Sequence, residues 1–513
     1  MAITDLSVIH AEKCWPLVDK LSPCEEACPI GMNIPSYVIA VSGGKFKEAL
    51  EVIRQTNPLP SVCGRVCHHP CEEACNRKLM DDPVAIRGLK RFVMDALEGQ
   101  KEVTPFPRTR EEEIAVIGSG PAGLTAAYDL ALLGYGVVIY EAEPEAGGML
   151  ISAIPNFHLP RKVVKKDIDY IRQKGVKIKT KTPLGKDLGL DDLLRRGFKA
   201  IVLATGSQSS MSLGLEGYDL EGVYLALPYL RDLKRGALKR GNWKTLVIGG
   251  GNVAIDVART ALRLGAKEVH LACLESREEM PAFPWLIKEA EEEGIQIHNR
   301  LAPQQFLPAK GEKRVSRVEF RRVNTLSLGK DGKLSWTLLE GPASSYSMEA
   351  DQVVIAVGQM PNFEYLQKSA VKVEKEGKIQ YDPETLTTNA PGIFLAGDII
   401  KPRGTVVEAI QAGHAAALHI HQYLTGAKAA PGPKKAAFTV EEEKIPTILA
   451  RRPQWEISKL PLTSRRRSFE EVELGFTAYE ATEEAKRCLN CRMCGNCIFD
   501  RGQICFEQSR RLL

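Results

Sequence analysis

Two stretches of this chain repeat one pattern, and that pattern leaves few folds open. A short apolar run at residues 114–117 leads into Gly118, Gly120 and Gly123, then a helical stretch over 122–133 and a second apolar run at 137–140. The same order recurs at 246–248, Gly249 and Gly251, 253–264 and 269–274, with Ala254 in the third glycine's place. Glycines so spaced, after a strand and at the opening of a helix, allow a tight turn, a close approach of pyrophosphate to backbone, and close packing of helix on strand; the helix N-terminus favours the anionic phosphates. Each unit also ends alike, 200–203 running into Ala204-Thr205-Gly206 and 352–355 into Ala356-Val357-Gly358. The spacing predicts an α/β protein with two nested Rossmann-type dinucleotide-binding domains, the second inserted in the first and carrying a β-rich excursion over 315–348.

Length and charge agree with a multidomain protein of ordinary composition. A chain of 513 residues is too long for one core. A net charge of +5 with no basic stretch interleaved with aromatics gives no reason to expect nucleic acid, and Arg465-Arg466-Arg467 reads as a solvated face or a partner contact. No apolar run approaches the ~18 residues that span a bilayer. Met1 to Asp5 has no basic region leading into an apolar stretch, so a cytoplasmic protein is expected.

The cysteines lie at the two ends. Of 13, seven fall between Cys14 and Cys75, five between Cys488 and Cys505, and Cys273 stands alone in an apolar strand as a core residue. Thiols clustered at two- and three-residue gaps in such a chain point to metal ligands rather than disulfides. Residues 46–55 and 85–97 show helical spacing, which predicts a helical domain around the first group. A Gly/Pro/Ala-rich linker at 426–433 precedes a charged tail with little core potential before the last cysteines.

The first glycine loop has further company. Glu141 ends the next strand, 18 residues after Gly123, where its carboxylate can accept hydrogen bonds from a ribose. Gly147-Gly148-Met149-Leu150, Ala204-Thr205-Gly206 and the segment from Thr388 to Gly397-Asp398 resemble the remaining FAD-contact motifs of two-dinucleotide flavoproteins, in which the aspartate at the Asp398 position hydrogen-bonds the ribityl chain. This assigns FAD to Gly118, Gly120, Pro121, Ala122, Gly123, Glu141, Gly148, Leu150, Thr205, Gly397 and Asp398. The second loop, with Gly249, Gly251, Asn252, Val253 and Gly358, is expected to hold the nicotinamide nucleotide. Glu275 ends its next strand, where a carboxylate holds a 2′-hydroxyl and repels a 2′-phosphate; Arg277 follows closely, so the charge is not one-sided. NAD(H) is expected over NADP(H).

Together these motifs resemble the small subunit of glutamate synthase and the N-terminal half of dihydropyrimidine dehydrogenase. The resemblance rests also on Pro23-Cys24-Glu25-Glu26-Ala27-Cys28-Pro29, Thr56-Asn57-Pro58, Cys63-Gly64-Arg65-Val66-Cys67, Cys71-Glu72-Glu73-Ala74-Cys75, the run from Ile154 to Pro160, and Met280-Pro281. It covers 24 to about 425 and resumes at 483–489. It implies a helical iron–sulfur domain (1–103), a glutathione-reductase-like pair made of an FAD domain (104–206 and 363–425) and an NAD(H) domain (207–362), and a final linker and iron–sulfur segment (426–513). NADPH-using members carry paired arginines where this chain has Leu274-Glu275, which strengthens the NADH expectation.

The resemblance also implies two [4Fe–4S] clusters at the N-terminus. One would use a Cys-x-x-Cys pair before Pro23 plus Cys24 and Cys75; the other Cys28, Cys67, Cys71 and a Gln or Glu from a later helix. Here the pair is missing, Cys14 alone is near, and Lys90 stands at the later-helix position. At least one N-terminal cluster is expected, with Cys63 a possible recruit and zinc an alternative that the three-residue gaps disfavour. Cys488, Cys491, Cys494 and Cys497, with Cys505 beyond, resemble a ferredoxin loop and are expected to form one C-terminal cluster with a spare cysteine. His68, His69, His158 and His414 are expected to be structural.

The functional expectation is an NADH-linked, FAD-containing iron–sulfur subunit that passes single electrons to or from a partner redox protein or catalytic subunit in a hetero-oligomeric complex. A glutamate synthase small subunit and a scaffold with structural nucleotide sites are the alternatives.

Overall fold

The computed structural model describes residues 21–97, 103–186, 188–329, 334–341, 344–374, 377–400, 404–427 and 451–491. Cys14, Cys494, Cys497 and Cys505 therefore lie outside the described residues.

The N-terminal part is helical: α1 (Pro23–Glu26), α2 (Ile34–Ser42), α3 (Phe46–Arg54), α4 (Pro60–Val66), α5 (Pro70–Glu73) and α6 (Ile86–Ala96). Proline opens α1, α4 and α5, where its missing N–H costs no intrahelical bond. Tyr37, Val38, Ile53, Val62 and Leu89 bury the apolar faces of these helices, in one core with the first nucleotide fold.

That fold follows. Strand β1 (Glu113–Ile117), helix α7 (Pro121–Leu132) and strand β2 (Gly136–Tyr140) form the first βαβ unit. Helix α8 (Arg161–Gln173), β3 (Lys177–Lys179) and β4 (Ala200–Leu203) come next. The second unit has β5 (Val223–Leu225), α9 (Ala226–Lys234), β6 (Lys244–Ile248), α10 (Asn252–Arg263), β7 (Glu268–Ala272), α11 (Pro284–Glu292) and β8 (Gln296–His298). An antiparallel sheet of β9 (Leu301–Pro308), β10 (Val315–Leu328), β11 (Leu334–Leu338) and β12 (Ser345–Glu349) includes the β-rich excursion expected over 315–348 but starts earlier, at Leu301. The chain re-enters the second sheet as β13 (Gln352–Ile355), then the first as β14 (Ile393–Leu395), followed by the long helix α12 (Val406–Thr425).

The two sheets have one topology. The first runs β14-β4-β1-β2-β3 and the second β5-β13-β6-β7-β8, every pair parallel. Both switch strand order beside the glycine loop, where open α/β sheets bind ligands. The excursion of β14 and α12 back to the first sheet confirms the nesting read from sequence.

The tail departs from expectation. Residues 451–491 are not a solvated appendage: Val472, Phe476, Ala481 and Ala485 are buried, and helix α13 (Ala478–Ala485) packs on α2 and α6. Its charges are paired across the fold. Glu471 accepts from Arg65 (2.6 Å) and Arg91 (2.9 Å), and Glu473 from Arg87 (2.8 Å). Lys459 reaches Glu289 (2.5 Å) and Arg465 reaches Glu292 (3.2 Å), so the tail links the helical domain to α11 of the second nucleotide fold. Arg465 thus makes a contact within its own chain.

Candidate functional site

In the first glycine loop, Gly118 has φ +102°, and a Cβ there would lie 2.5 Å from the Ala204 carbonyl oxygen. Its counterpart Gly249 has φ +134° and would meet the Ala356 oxygen at 2.3 Å. Each turn is therefore pressed onto the end of the neighbouring strand, β4 or β13, and only glycine fits. By contrast Gly120 and Gly251 have open space where a Cβ would be, beside the N-termini of α7 and α10. Those N-termini carry free amides and positive dipole ends, which suit a pyrophosphate.

Glu141 is buried at the end of β2 and accepts from the Ser119 amide (3.0 Å) and, on its other oxygen, from the Glu143 amide (2.9 Å). Ser119 Oγ in turn accepts from the Gly147 amide (2.9 Å), which fixes the Gly147-Gly148 turn against the loop. Pro121 opens α7, Ala122 and Leu150 are buried, and Thr205 Oγ1 lies 3.0 Å from the Tyr365 hydroxyl. Gly397 comes so close to α7 that a Cβ would meet that of Ala122 at 2.8 Å. Burial, with Glu408 nearby, pushes the Asp398 carboxyl up to about 6. All the residues expected around FAD thus meet at the C-terminal edge of the first sheet and the start of α12.

In the second fold, Glu275 is buried with one carboxylate oxygen 2.7 Å from where a Gly250 Cβ would be. Asn252 Oδ1 accepts from the Phe283 amide (2.9 Å), tying the loop to the segment before α11. Gly358 has φ +137° and lies against Met211, and Val253 lies in the first turn of α10. Arg277 is paired with Glu291 at 2.8 Å on α11. Arg300 joins this site without a signal in sequence. Its amide donates to the Glu275 carbonyl (3.1 Å), its guanidinium pairs with Glu279 (2.8 Å), and its Nη1 is buried without a hydrogen-bond partner. No local motif marks it, because β7 and β8 bring it to Glu275 from 25 residues away.

The cysteines line two cavities that share Ile34 and Ile86 as a wall. The first contains Cys24, Cys75, Cys488 and Cys491. Burial and the charges of the other thiols push Cys488 up to about 12 and Cys491 up to about 11 and raise Cys24, and burial with Glu72 nearby raises Cys75. Four such thiols ionise together only beside a strong cation, as an iron–sulfur cluster supplies. Four thiols lining one cavity are the number of thiolates that a [4Fe–4S] cluster takes.

The second cavity contains Cys28, Cys67, Cys71 and Lys90, with Val407 of α12 on its wall. Burial opposes the charge of Lys90, but Cys67, Cys63, Cys71 and Cys28 hold its ammonium above the usual range. These residues supply three thiols and a cation, not four ligands. Cys63 is fully buried beside them, and burial pushes its thiol up to about 12. This grouping differs from the sequence expectation, which placed Cys488 and Cys491 in a C-terminal loop of their own.

The histidines singled out from sequence all make packing or hydrogen-bond contacts within the chain. His414 bridges Asp129 (2.5 Å) and the Thr56 carbonyl (3.0 Å), joining α12, α7 and the helical domain. His158 meets Asp256 (3.0 Å) beside the buried Arg259–Glu293–Arg263 network. His68 stacks on Phe283 and His69 packs on Trp285, across the face between helical and second nucleotide domains. Cys273 is buried, with Asn299 donating to its sulfur.

Comparison with known proteins agrees with this geometry. Residues 112–417, more than half of the chain, match the model described as pyridine nucleotide-disulphide oxidoreductase. The chain belongs to that family. Residues 4–102 of this pyridine nucleotide-disulphide oxidoreductase match dihydropyrimidine dehydrogenase domain II, 4Fe-4S cluster. The NADP(+)-dependent formate dehydrogenase subunit beta of Moorella thermoacetica is 38% identical over 92% of this chain and 71% of the relative. The NADPH-Fe(3+) oxidoreductase subunit beta of Geobacter sulfurreducens is 36% identical over 92% and 76%. The glutamate synthase [NADPH] small chain of Escherichia coli is 33% identical over 78% and 88%. Among solved structures, Mycobacterium tuberculosis FprA in complex with NADPH shares the fold, with a TM-score of 0.53 and 18% identity over 62% of this chain and 85% of that one. The chain is thus an FAD- and NAD(P)-dependent iron–sulfur oxidoreductase. No helix among the described residues is long and apolar enough to cross a membrane.

Proposed function

We propose that this chain is the nucleotide-facing subunit of a redox complex, exchanging hydride with NAD(H) and passing electrons singly to or from a partner redox protein or catalytic subunit. FAD supplies the chemistry that joins a two-electron donor to one-electron carriers. The protein's part is placement. Gly118, Gly120, Pro121, Ala122 and Gly123 receive the flavin pyrophosphate, Glu141 its ribose, and Gly148, Leu150, Thr205, Gly397 and Asp398 the rest; Gly249, Gly251, Asn252, Val253 and Gly358 receive the nicotinamide nucleotide. The domain limits at 103, 206, 362 and 425 belong to the same reading.

One observation carries it. Helix α12 starts beside Gly397-Asp398 at the flavin site, and its Val407 lines the second cysteine cavity, which shares a wall with the first. This supports an electron path that runs from the flavin site to the cysteines. Beta-subunit relatives support a partner, and a large glutamate-forming subunit is one candidate.

Glu275 supports NADH: a buried carboxylate on the nucleotide loop repels a 2′-phosphate, while Arg277 and Arg300 are engaged by Glu291 and Glu279. The NADPH reading draws on Arg300 and on the relatives' names. Anaerobic stopped-flow absorbance separates them. NADH is expected to bleach the flavin at least tenfold faster than NADPH at equal concentration. The reverse order overturns the reading of Glu275, and no bleaching by either points to a scaffold.

A further inference from the structure

The helical domain has no Cys-x-x-Cys pair ahead of Cys24, yet its first cavity is lined by four cysteines. Two of them, Cys488 and Cys491, come from more than 400 residues later. The geometry points to a single [4Fe–4S] site closed by both ends of the chain, with Cys24 and Cys75 from the N-terminal domain and Cys488 and Cys491 from the C-terminal segment. The inference rests on the reading that the chain carries iron–sulfur clusters, and specifies which residues hold one of them.

The C-terminal pair is delivered by a built dock. Arg487, immediately before Cys488, is buried; it donates to Glu484 (2.7 Å), Asp81 (2.9 Å) and the carbonyls of Asp82 (2.6 Å), Pro83 (3.1 Å) and Arg452 (3.1 Å). Glu484, also buried, accepts from the amides of Ala85 (2.7 Å) and Trp455 (3.0 Å). Arg77 returns a bond to the Arg487 carbonyl (3.3 Å). A buried arginine and carboxylate are costly unless every donor and acceptor is met, and here they are met by the loop at 81–85 together with Arg452 and Trp455. The sulfurs are also served: Asn76 Nδ2 donates to Cys491 Sγ and the Asn490 amide to Cys488 Sγ, each at 3.4 Å. Amide donors to sulfur are among the means by which proteins tune cluster thiolates. Pro23, Ile34, Val38, Val84 and Ile86 make the remaining wall largely apolar.

Two consequences follow. Cys488 and Cys491, the first two cysteines of the run after residue 487, face the N-terminal domain. A chain truncated before Cys488 also lacks half of this site's ligands.

The test compares full-length wild type with C24S/C75S, C488S/C491S and the quadruple variant, all purified anaerobically. Iron, acid-labile sulfide and flavin are counted per chain. Each double variant is expected to lose about four irons and four sulfides, and the quadruple variant no more than either. Losses that add, about eight in the quadruple, or an unchanged iron count in C488S/C491S, would overturn the shared site. Should a variant lose its flavin through misfolding, wild-type protein decides. After cluster breakdown by ferricyanide and chelator, alkylation mapped by mass spectrometry is expected to reach Cys24, Cys75, Cys488 and Cys491 in one kinetic step, and separate steps for the two pairs would refute it. Iron-free wild type overturns the iron–sulfur reading itself.

Discussion

Replacing Arg487 with Met keeps most of its volume and removes its charge. Its side chain is 1% exposed and that of Glu484 0%. Breaking a buried pair by removing one partner typically costs about 3–5 kcal/mol, because the remaining charge has no counterion. Here the lower figure applies. Asp81 keeps Arg77, and Glu484 keeps the amides of Ala85 and Trp455. A loss of about 3 kcal/mol raises the opening of the C-terminal segment roughly 150-fold, at 1.4 kcal/mol per decade. Native-state hydrogen exchange reads this directly: protection in Ala478–Ala485 should fall about two decades while Pro121–Leu132 in the flavin fold is unchanged. Adding Glu484→Gln to Arg487→Met should recover more than half of the loss, since the orphaned charge goes with it. Protection within threefold of wild type in Arg487→Met would refute the claim that this pair docks the segment.

Three further outcomes are expected. Gly251→Val should leave fold and flavin content intact but abolish reduction by nucleotide, because a side chain there meets no protein atom but fills the phosphate's place; Gly249→Val should yield little folded protein, since its Cβ would press on the Ala356 carbonyl at positive φ. Solubility and flavin absorbance, then stopped-flow reduction, distinguish the two. Glu275→Ser should narrow or invert the NADH-over-NADPH ratio of kcat/KM by about tenfold or more, equal to about 1.4 kcal/mol or above. Burial opposes the charge of Glu473, but Arg87, with Arg91 and Lys459 behind it, holds its carboxyl down to about 2. A depressed carboxyl stabilises the fold above its unfolded pKa and loses that contribution as pH falls through the folded value. Wild type should therefore lose about 0.8 kcal/mol more stability than Glu473→Gln between pH 7 and pH 4, read from urea midpoints.

The nucleotide folds were legible because their signals are local. Apolar runs of three to six residues, glycines at fixed offsets and the Ala204 and Ala356 strand ends are each decided within a few residues, and both parallel sheets match. Strand β7 stops at Ala272, two residues short of the apolar run, although the Cys273 amide still donates to the His298 carbonyl (3.1 Å). The tail was not legible. Its Glu473 looks solvated in sequence, but its partner Arg87 lies 386 residues away. Cys488 and Cys491 carry a local spacing that suits a ferredoxin loop, and nothing in that spacing reveals that Arg487 anchors them beside Cys75. Cysteine type and number were readable at both ends, whereas their grouping depends on a long-range dock.

Hydride from NADH is proposed to reach the iron–sulfur clusters through the flavin site of this one chain. Anaerobic full-length protein, mixed with a slight excess of NADH and frozen, tests it by low-temperature electron paramagnetic resonance. The expected result is bleached flavin together with the signal of a reduced [4Fe–4S] cluster, lost in C488S/C491S. A bleached flavin with no reduced cluster in the wild type, while dithionite does produce the cluster signal, would contradict it.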